Sequence, residues 1–298
     1  DNTADQGGGL YVNRGGVTMT NNIVADNQAL TAGSGFYILR SNPTLHHTTI
    51  ARNHGGDDSG IHVTTSENPP YYSRMELANT ILVSHGVGIT VSADNTATLD
   101  ATLWDGNDKD RDGAGTIDHV NDHEGPPAFV DPEARDYHIR AGSAAIDQGI
   151  NVFVATDIDA QLRPQGTKYD IGADEFHPIP DLALRKTGGP DPVRCSGNLT
   201  YTLRLTNTGN LDLHATVTDR LPVGVSPAGP LVWTPPPIPA YGGMWTETVV
   251  VTVDMGCAEL LTNEVEVTTQ EGAAGADSIA VHVTCFRLYL PLVLRGYP

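Results

Sequence analysis

Four short stretches decide how this chain folds: GGLYV at residues 8–12, SGFYI at 34–38, SGIHV at 59–63 and VGITV at 87–91. Each sets a glycine (Gly9, Gly35, Gly60, Gly88) before an alternating apolar run, in steps of 26, 25 and 28 residues. A second anchor follows each: NNIVADN with Ile23, TTIARN with Ile50, NTILVSH with Ile81 and ATLWDGN with Leu103. Between the anchors lie VTM, PTLHH, MEL and ATL, which makes three short strands per repeat. Self-similarity at this period marks a stacked solenoid, whose units each contact only their neighbours. No strand of three or four residues is stable alone. Stacking lets every backbone group pair with the next turn while Leu10, Phe36, Ile61 and Ile89 pile up inside. The LxxLxL spacing of leucine-rich repeats is missing, and β-branched residues and Asn dominate, so the expectation is a parallel β-helix.

The totals agree with short strands and turns. The chain has 298 residues, room for two domains, and few aromatic residues. Its formal net charge of −19 disfavours nucleic acid or an anionic membrane as partner and favours solubility and cation binding. The opening DNTADQGGGLYV reads as the middle of a repeat, so a leader and further repeats are expected upstream.

The repeats resemble those of right-handed β-helices in bacterial surface proteins and polysaccharide-active enzymes. Residues 126–176 contain DYHIRAGSAAIDQG and YDIGADEF, which resemble the choice-of-anchor Q family. The resemblance implies an exported surface protein in which this segment closes the C-terminal end of a β-helix spanning residues 1–176. A Pro-bearing linker with the first sandwich strand is expected over 177–194, then a β-sandwich over 195–285 whose alternating strands are separated by Gly and Pro turns. YTLRLTNTGNLDLHATVTDRLPVGV is similar to the immunoglobulin-like repeats of large bacterial surface proteins, which implies a stalk or attachment module.

Several groups are candidates for chemistry. DKDRDG sets Asp108, Asp110 and Asp112 at alternate positions before a glycine, the spacing of a calcium loop; Asp105 and Asn107 are auxiliary candidates. The place of the usual bidentate Glu is His119, with Asp118, Asp122 or Glu124 as substitutes. An acidic solvated turn is the competing reading. GGDDSG with Asp57 and Asp58, followed one coil later by His85, partially resembles the paired carboxylates and His of polygalacturonase-type hydrolases. A third acidic residue and the downstream basic motif of those enzymes are missing. Arg40, Arg52 and Arg74 have no diagnostic spacing for a lyase base, and His46, His47, His54 and His62 have none for a metal.

Three cysteines fit no metal motif and predict a disulfide in an oxidising compartment, Cys195 with Cys257, or alternatively Cys257 with Cys285. The last residues, CFRLYLPLVLRGYP, are too few to span a membrane as a helix. They are expected to act as a strand donor through Leu288, Tyr289, Leu290, Leu292, Val293 and Leu294, or as a sorting tail. An open first coil receiving that tail would give head-to-tail filaments of copies of the chain. The functional expectation is therefore a non-enzymatic, exported structural protein or adhesin whose partners are itself, cell-surface components or glycans. The alternative is a polysaccharide hydrolase or lyase carrying an attachment module.

Overall fold

The computed structural model describes residues 2–65 and 71–285. The chain is almost entirely β and divides into two compact units between His177 and Pro178.

Besides a short sheet in which Thr3–Gln6 pairs in parallel with Gln28–Ala32, the chain of the first unit runs through two long parallel sheets. One contains Leu10–Asn13, Phe36–Leu39, Ser59–Thr64, Val87–Val91 and Lys109–Asp112, in that order. The other runs Thr18–Ala25, Thr44–Ala51, Arg74–Val83 and Thr96–Asp105, the last of which pairs with both Thr116–Val120 and His123–Glu124. Register is strict: Leu10 lies beside Phe36, Phe36 beside Ile61, Ile61 beside Ile89 and Ile89 beside Arg111. Phe36, Ile61 and Ile89 are fully buried in one apolar stack that also holds Ile50, Leu82, Leu99 and Trp104. Arg111 takes the inward position of the fifth turn. Its guanidinium lies 5.5 Å over the Trp104 ring, and Nη1 donates to Asp122 at 2.6 Å, so the apolar stack ends on a paired cation.

The sequence punctuation has a backbone cause. Each long strand of the second sheet turns a corner at a residue with positive φ, namely Asn21, His47, Asn79 and Ala101. Pairing skips those positions and resumes with Asn22, Thr48, Thr80 and Thr102 in register. The left-handed region is more accessible to Asn than to most side chains, which suits Asn21 and Asn79; His47 and Ala101 adopt it at the same corner.

A ladder of buried amides stabilises the next corner. Asn53 Oδ1 accepts the Asn27 backbone N–H and Nδ2–H, both at 3.0 Å. Its own Nδ2 donates to Val24 O and faces His85 Nε2 at 3.3 Å. Asn107 Oδ1 in turn accepts the His85 backbone N–H at 2.9 Å. The repeated glycine sits against this ladder. A Cβ on Gly9 would lie 3.0 Å from Asn27 Nδ2, on Gly35 3.1 Å from Asn53 Nδ2, and on Gly60 2.7 Å from the His85 ring.

Residues 126–176 do not merely close an end: they lie along the flank of the second sheet. Tyr137, Ile139, Ala145 and Ile171 pack on Ala51, Ile81, Val83, Ala101 and Leu103. Polar anchors reach three successive strands of that sheet: Asn21 Nδ2 donates to Thr156 O, the Ala173 N–H donates to Thr49 Oγ1, and Asn79 exchanges two bonds with Ile150. The YDIGADEF motif is the buried heart of this segment. Glu175 pairs with the buried Arg163 at 2.9 Å, while Asp170 accepts the N–H groups of Asp147 and Phe176, each at 2.7 Å. Burial of both faces makes the strands read as near-continuous apolar runs such as TILV.

The second unit has two sheets whose pairings are antiparallel with one exception. One orders Leu182–Gly189, Asn198–Asn207, Met244–Val253 and Val225–Ser226; the other orders Val193–Arg194, Ala274–Thr284, Leu260–Thr269, Ala215–Arg220 and Pro230–Trp233. Strict alternation puts Leu199, Tyr201, Leu203 and Leu205 on the inner face of one strand and Leu261, Asn263, Val265 and Val267 on that of another. The exception corrects the expected disulfide. Val193 and Arg194 pair in parallel with Val283 and Thr284, and the Cys195 N–H donates to Thr284 O, so Cys195 is bonded to Cys285. Neither expected pairing with Cys257 forms; that thiol is free and packs against Gly224. Leu288, Tyr289, Leu290, Leu292, Val293 and Leu294 lie outside the described residues.

Candidate functional site

Two members of the polygalacturonase-like set, Asp57 and His85, are engaged by the fold. Asp57 Oδ1 accepts the N–H groups of Gly33 (3.0 Å) and Ser59 (3.2 Å) and the Ser59 hydroxyl (2.6 Å), and Oδ2 meets His62 Nδ1 at 2.5 Å. Burial alone would raise its carboxyl, but the His62, Ser59 and Gly33 bonds outweigh that and hold it at about 2. Asp58 is exposed at a positive-φ turn. His85 takes an Asn position in the ladder: Nδ1 faces Asn107 Oδ1 at 3.3 Å, Nε2 faces Asn53, and burial lowers the ring to about 4. A ring held neutral between two amides is a structural member, not a base aimed at solvent.

DKDRDG is likewise not a wrapping loop. Lys109–Asp112 is a strand paired with Val87–Val91, so carboxylates at alternate positions express the period of an extended chain. Asp110 Oδ1 accepts from Asn107 Nδ2 at 3.1 Å, Asp112 pairs with Lys109 Nζ at 2.7 Å, and Asp108 is exposed. Asp122 is bound to Arg111 and also lies 2.8 Å from His119 Nδ1. The structure nevertheless brings several of these candidates together. Asp105, Gly106, Asn107, Asp110, Glu124 and Gly125 line a cleft of about 460 Å³ with Trp104. The indole Nε1 of Trp104, a residue only 3% exposed, is buried with no hydrogen-bond partner among the described residues.

Two further features emerge from the structure. On the outer face of the first sheet, Tyr11, Tyr37 and His62 stack in register with centroid spacings of 5.3 Å, and the lane continues to Thr90 and Asp112. In the flank segment, His138, Asp159 and Asp174 place potential ligand atoms within 4.8 Å of one another. His138 Nδ1 is held by Asp136 at 2.6 Å, and its Nε2 lies 3.0 Å from Asp159 Oδ2. Those residues come from chain segments 21 and 15 residues apart, so no spacing signal announces them. The lane does have a signal, because Tyr11, Tyr37 and His62 each follow the repeated inward residue by one position.

Among the described residues no helix is long and apolar enough to cross a membrane. No protein-family description and no curated protein matches the chain. Among solved structures it is similar to a β-glucosidase from Listeria innocua, determined with isofagomine and with glucose. In both cases identity is 15% and the TM-score 0.23, and the match covers 49% of this chain and 23% of that one. The chain thus spans less than a quarter of the enzyme's length.

Proposed function

We propose that the chain is a non-enzymatic, exported surface protein: a right-handed parallel β-helix of the choice-of-anchor Q kind that displays one ordered face, followed by an immunoglobulin-like attachment module. The observation that carries this reading is the commitment of Asp57 and His85 to protein hydrogen bonds, which turns the enzyme-like residues into framework. The outer lane of Tyr11, Tyr37 and His62 supports an adhesin role. Stacked rings repeating once per turn offer apolar faces edged by the Asp57 carboxylate, a surface suited to a repeating partner such as a glycan. Strand addition by residues 288–294 is the proposed self-association mode, tested by deleting the tail and comparing assemblies by electron microscopy.

The decisive experiment is an activity screen on pectin and other acidic polysaccharides with the parent chain and Asp58→Asn. No turnover by either is expected. Turnover that the substitution abolishes would overturn the reading in favour of a hydrolase.

A further inference from the structure

The core of the second unit buries a reactive set of side chains. Lys186, on Leu182–Gly189, has no side-chain exposure, and its Nζ lies 2.7 Å from Asp219 Oδ1 and 4.8 Å from the Tyr201 ring centroid. Burial first, opposed by Asp219, lowers the amine below its ordinary range. Asn263, on Leu260–Thr269, is wholly buried, yet neither Oδ1 nor Nδ2 has a hydrogen-bond partner among the described residues. Asp219 Oδ2 and the Tyr201 hydroxyl are orphaned in the same way. Leaving both ends of a carboxamide unpaired in an apolar core is destabilising, so this residue needs a reason to be there.

Register puts the three groups together. Asp219 pairs with Val265, whose side chain is on the inner face, and Asn263 is the next inward residue along that strand. Asn263 is therefore the diagonal neighbour of Asp219 on one face, with Cα atoms about 7–8 Å apart and side chains closer. The Lys186 N–H donates to Asp277, which pairs with the same Val265, so the lysine enters at that level. Register thus brings the lysine that ends at Asp219 to the level of the Asn263 carboxamide.

We propose that the folded second unit joins Lys186 to Asn263 through an intramolecular isopeptide bond, with Asp219 as the proton-transfer group. The step requires no oxidant or cofactor. Asp219 takes one proton from the Lys186 ammonium, and the freed Nζ lone pair attacks Asn263 Cγ. The Nζ–Cγ bond forms, the Cγ–Nδ2 bond breaks, and a second Nζ proton moves to Nδ2, which leaves as ammonia. One proton stays on the amide nitrogen and one on Asp219, so the buried ion pair is replaced by two neutral groups. Desolvation and fixed geometry favour the amine as nucleophile and supply the proximity that a free amine and amide lack in water. The product also removes the orphaned carboxamide nitrogen. This inference stands apart from the proposed surface role and from the outer lane.

The test is intact-mass spectrometry of the purified, reduced full-length chain. The expected mass is lower than the sequence mass by one ammonia, and digestion should release a branched peptide linking the segments that contain Lys186 and Asn263. Lys186→Ala, Asn263→Ala and Asp219→Ala should each restore the unmodified mass, with circular dichroism reporting folding. A parent chain at its full sequence mass would overturn the proposal without recourse to any variant. Ammonia loss without the branched peptide would overturn it too, because a succinimide at an asparagine loses the same molecule.

Discussion

The two units bury polar groups in opposite ways. In the first, amides and imidazoles lie inside at repeated positions, each answered by the corresponding residue of the next turn, as Asn27, Asn53, His85 and Asn107 show. In the second, the inner faces are mostly apolar, and the buried polar residues are Asn207, bonded to the Leu211 and Ile238 carbonyls, and a group around Lys186, Asp219 and Asn263. A parallel stack in register places like beside like, so a donor and acceptor repeated on one chain pair with themselves. An antiparallel pair of sheets has no such translation, and a buried polar group there requires a partner of different chemistry. The first solution can be propagated turn by turn; the second has to be composed once.

The sharpest way to break this contrast is at the composed site. Asp219→Ala strands a lysine in an apolar core, and removing one member of a buried pair costs about 3–5 kcal/mol. The unfolding transition of the second unit should move accordingly in urea while that of the first does not. Replacing both Lys186 and Asp219 by apolar residues should cost less than the single change, unless the covalent link contributes beyond the ion pair; equal costs would show that charge pairing is not what matters there.

The corresponding break in the ladder is Asn53→Ala, which leaves the Asn27 donors and the Val24 carbonyl without their partner. A loss of about 3 kcal/mol in the first unit is expected, since each buried group left unsatisfied costs about 1–3. An unchanged denaturation midpoint would mean that water replaces the amide and that the ladder is not cooperative.

The smallest effect is a pH dependence with two opposed parts. Burial lowers His85 to about 4, so its contribution is present above the unfolded value and is lost as pH falls through the interval between the two. Burial raises Asp170 to about 7, so its contribution is present at low pH and is lost as pH rises toward that value. Between about pH 7 and about pH 5, His85→Gln should make acidification less harmful by about 2 kcal/mol, and Asp170→Asn should make it more harmful. Chemical denaturation at the two pH values checks both signs; variants shifting in the same direction would contradict the burial argument.

What the sequence reveals follows the same division. Gly9, Gly35 and Gly60 recur because a Cβ would strike the ladder or the neighbouring backbone, so the repeat is legible from spacing alone. His85 reads as catalytic beside Asp57 and Asp58 because nothing local says that a histidine stands where other turns carry asparagine. DKDRDG has a related ambiguity: alternate carboxylates suit a cation loop, but they are also the period of a strand, and Lys109 pairs with Val87 in one. The motifs DYHIRAGSAAIDQG and YDIGADEF mark the flank segment, but its packing along the sheet shows only in TILV-type runs, whose second buried face needs a covering element about 70 residues away, as Asn79 and Ile150 show. Cysteine pairing depends on a two-residue parallel bridge at Val193 and Arg194, too short to carry any periodicity.

The covered flank has a consequence for how the first unit meets its surroundings. Residues 126–176 pack against one sheet, while the outer face of the other carries Tyr11, Tyr37 and His62, one ring per turn. Anything that engages this face is measured against a fixed pitch along a single direction. Along that face the rings of Tyr11, Tyr37 and His62 stand at equal steps of 5.3 Å, like marks on a ruler.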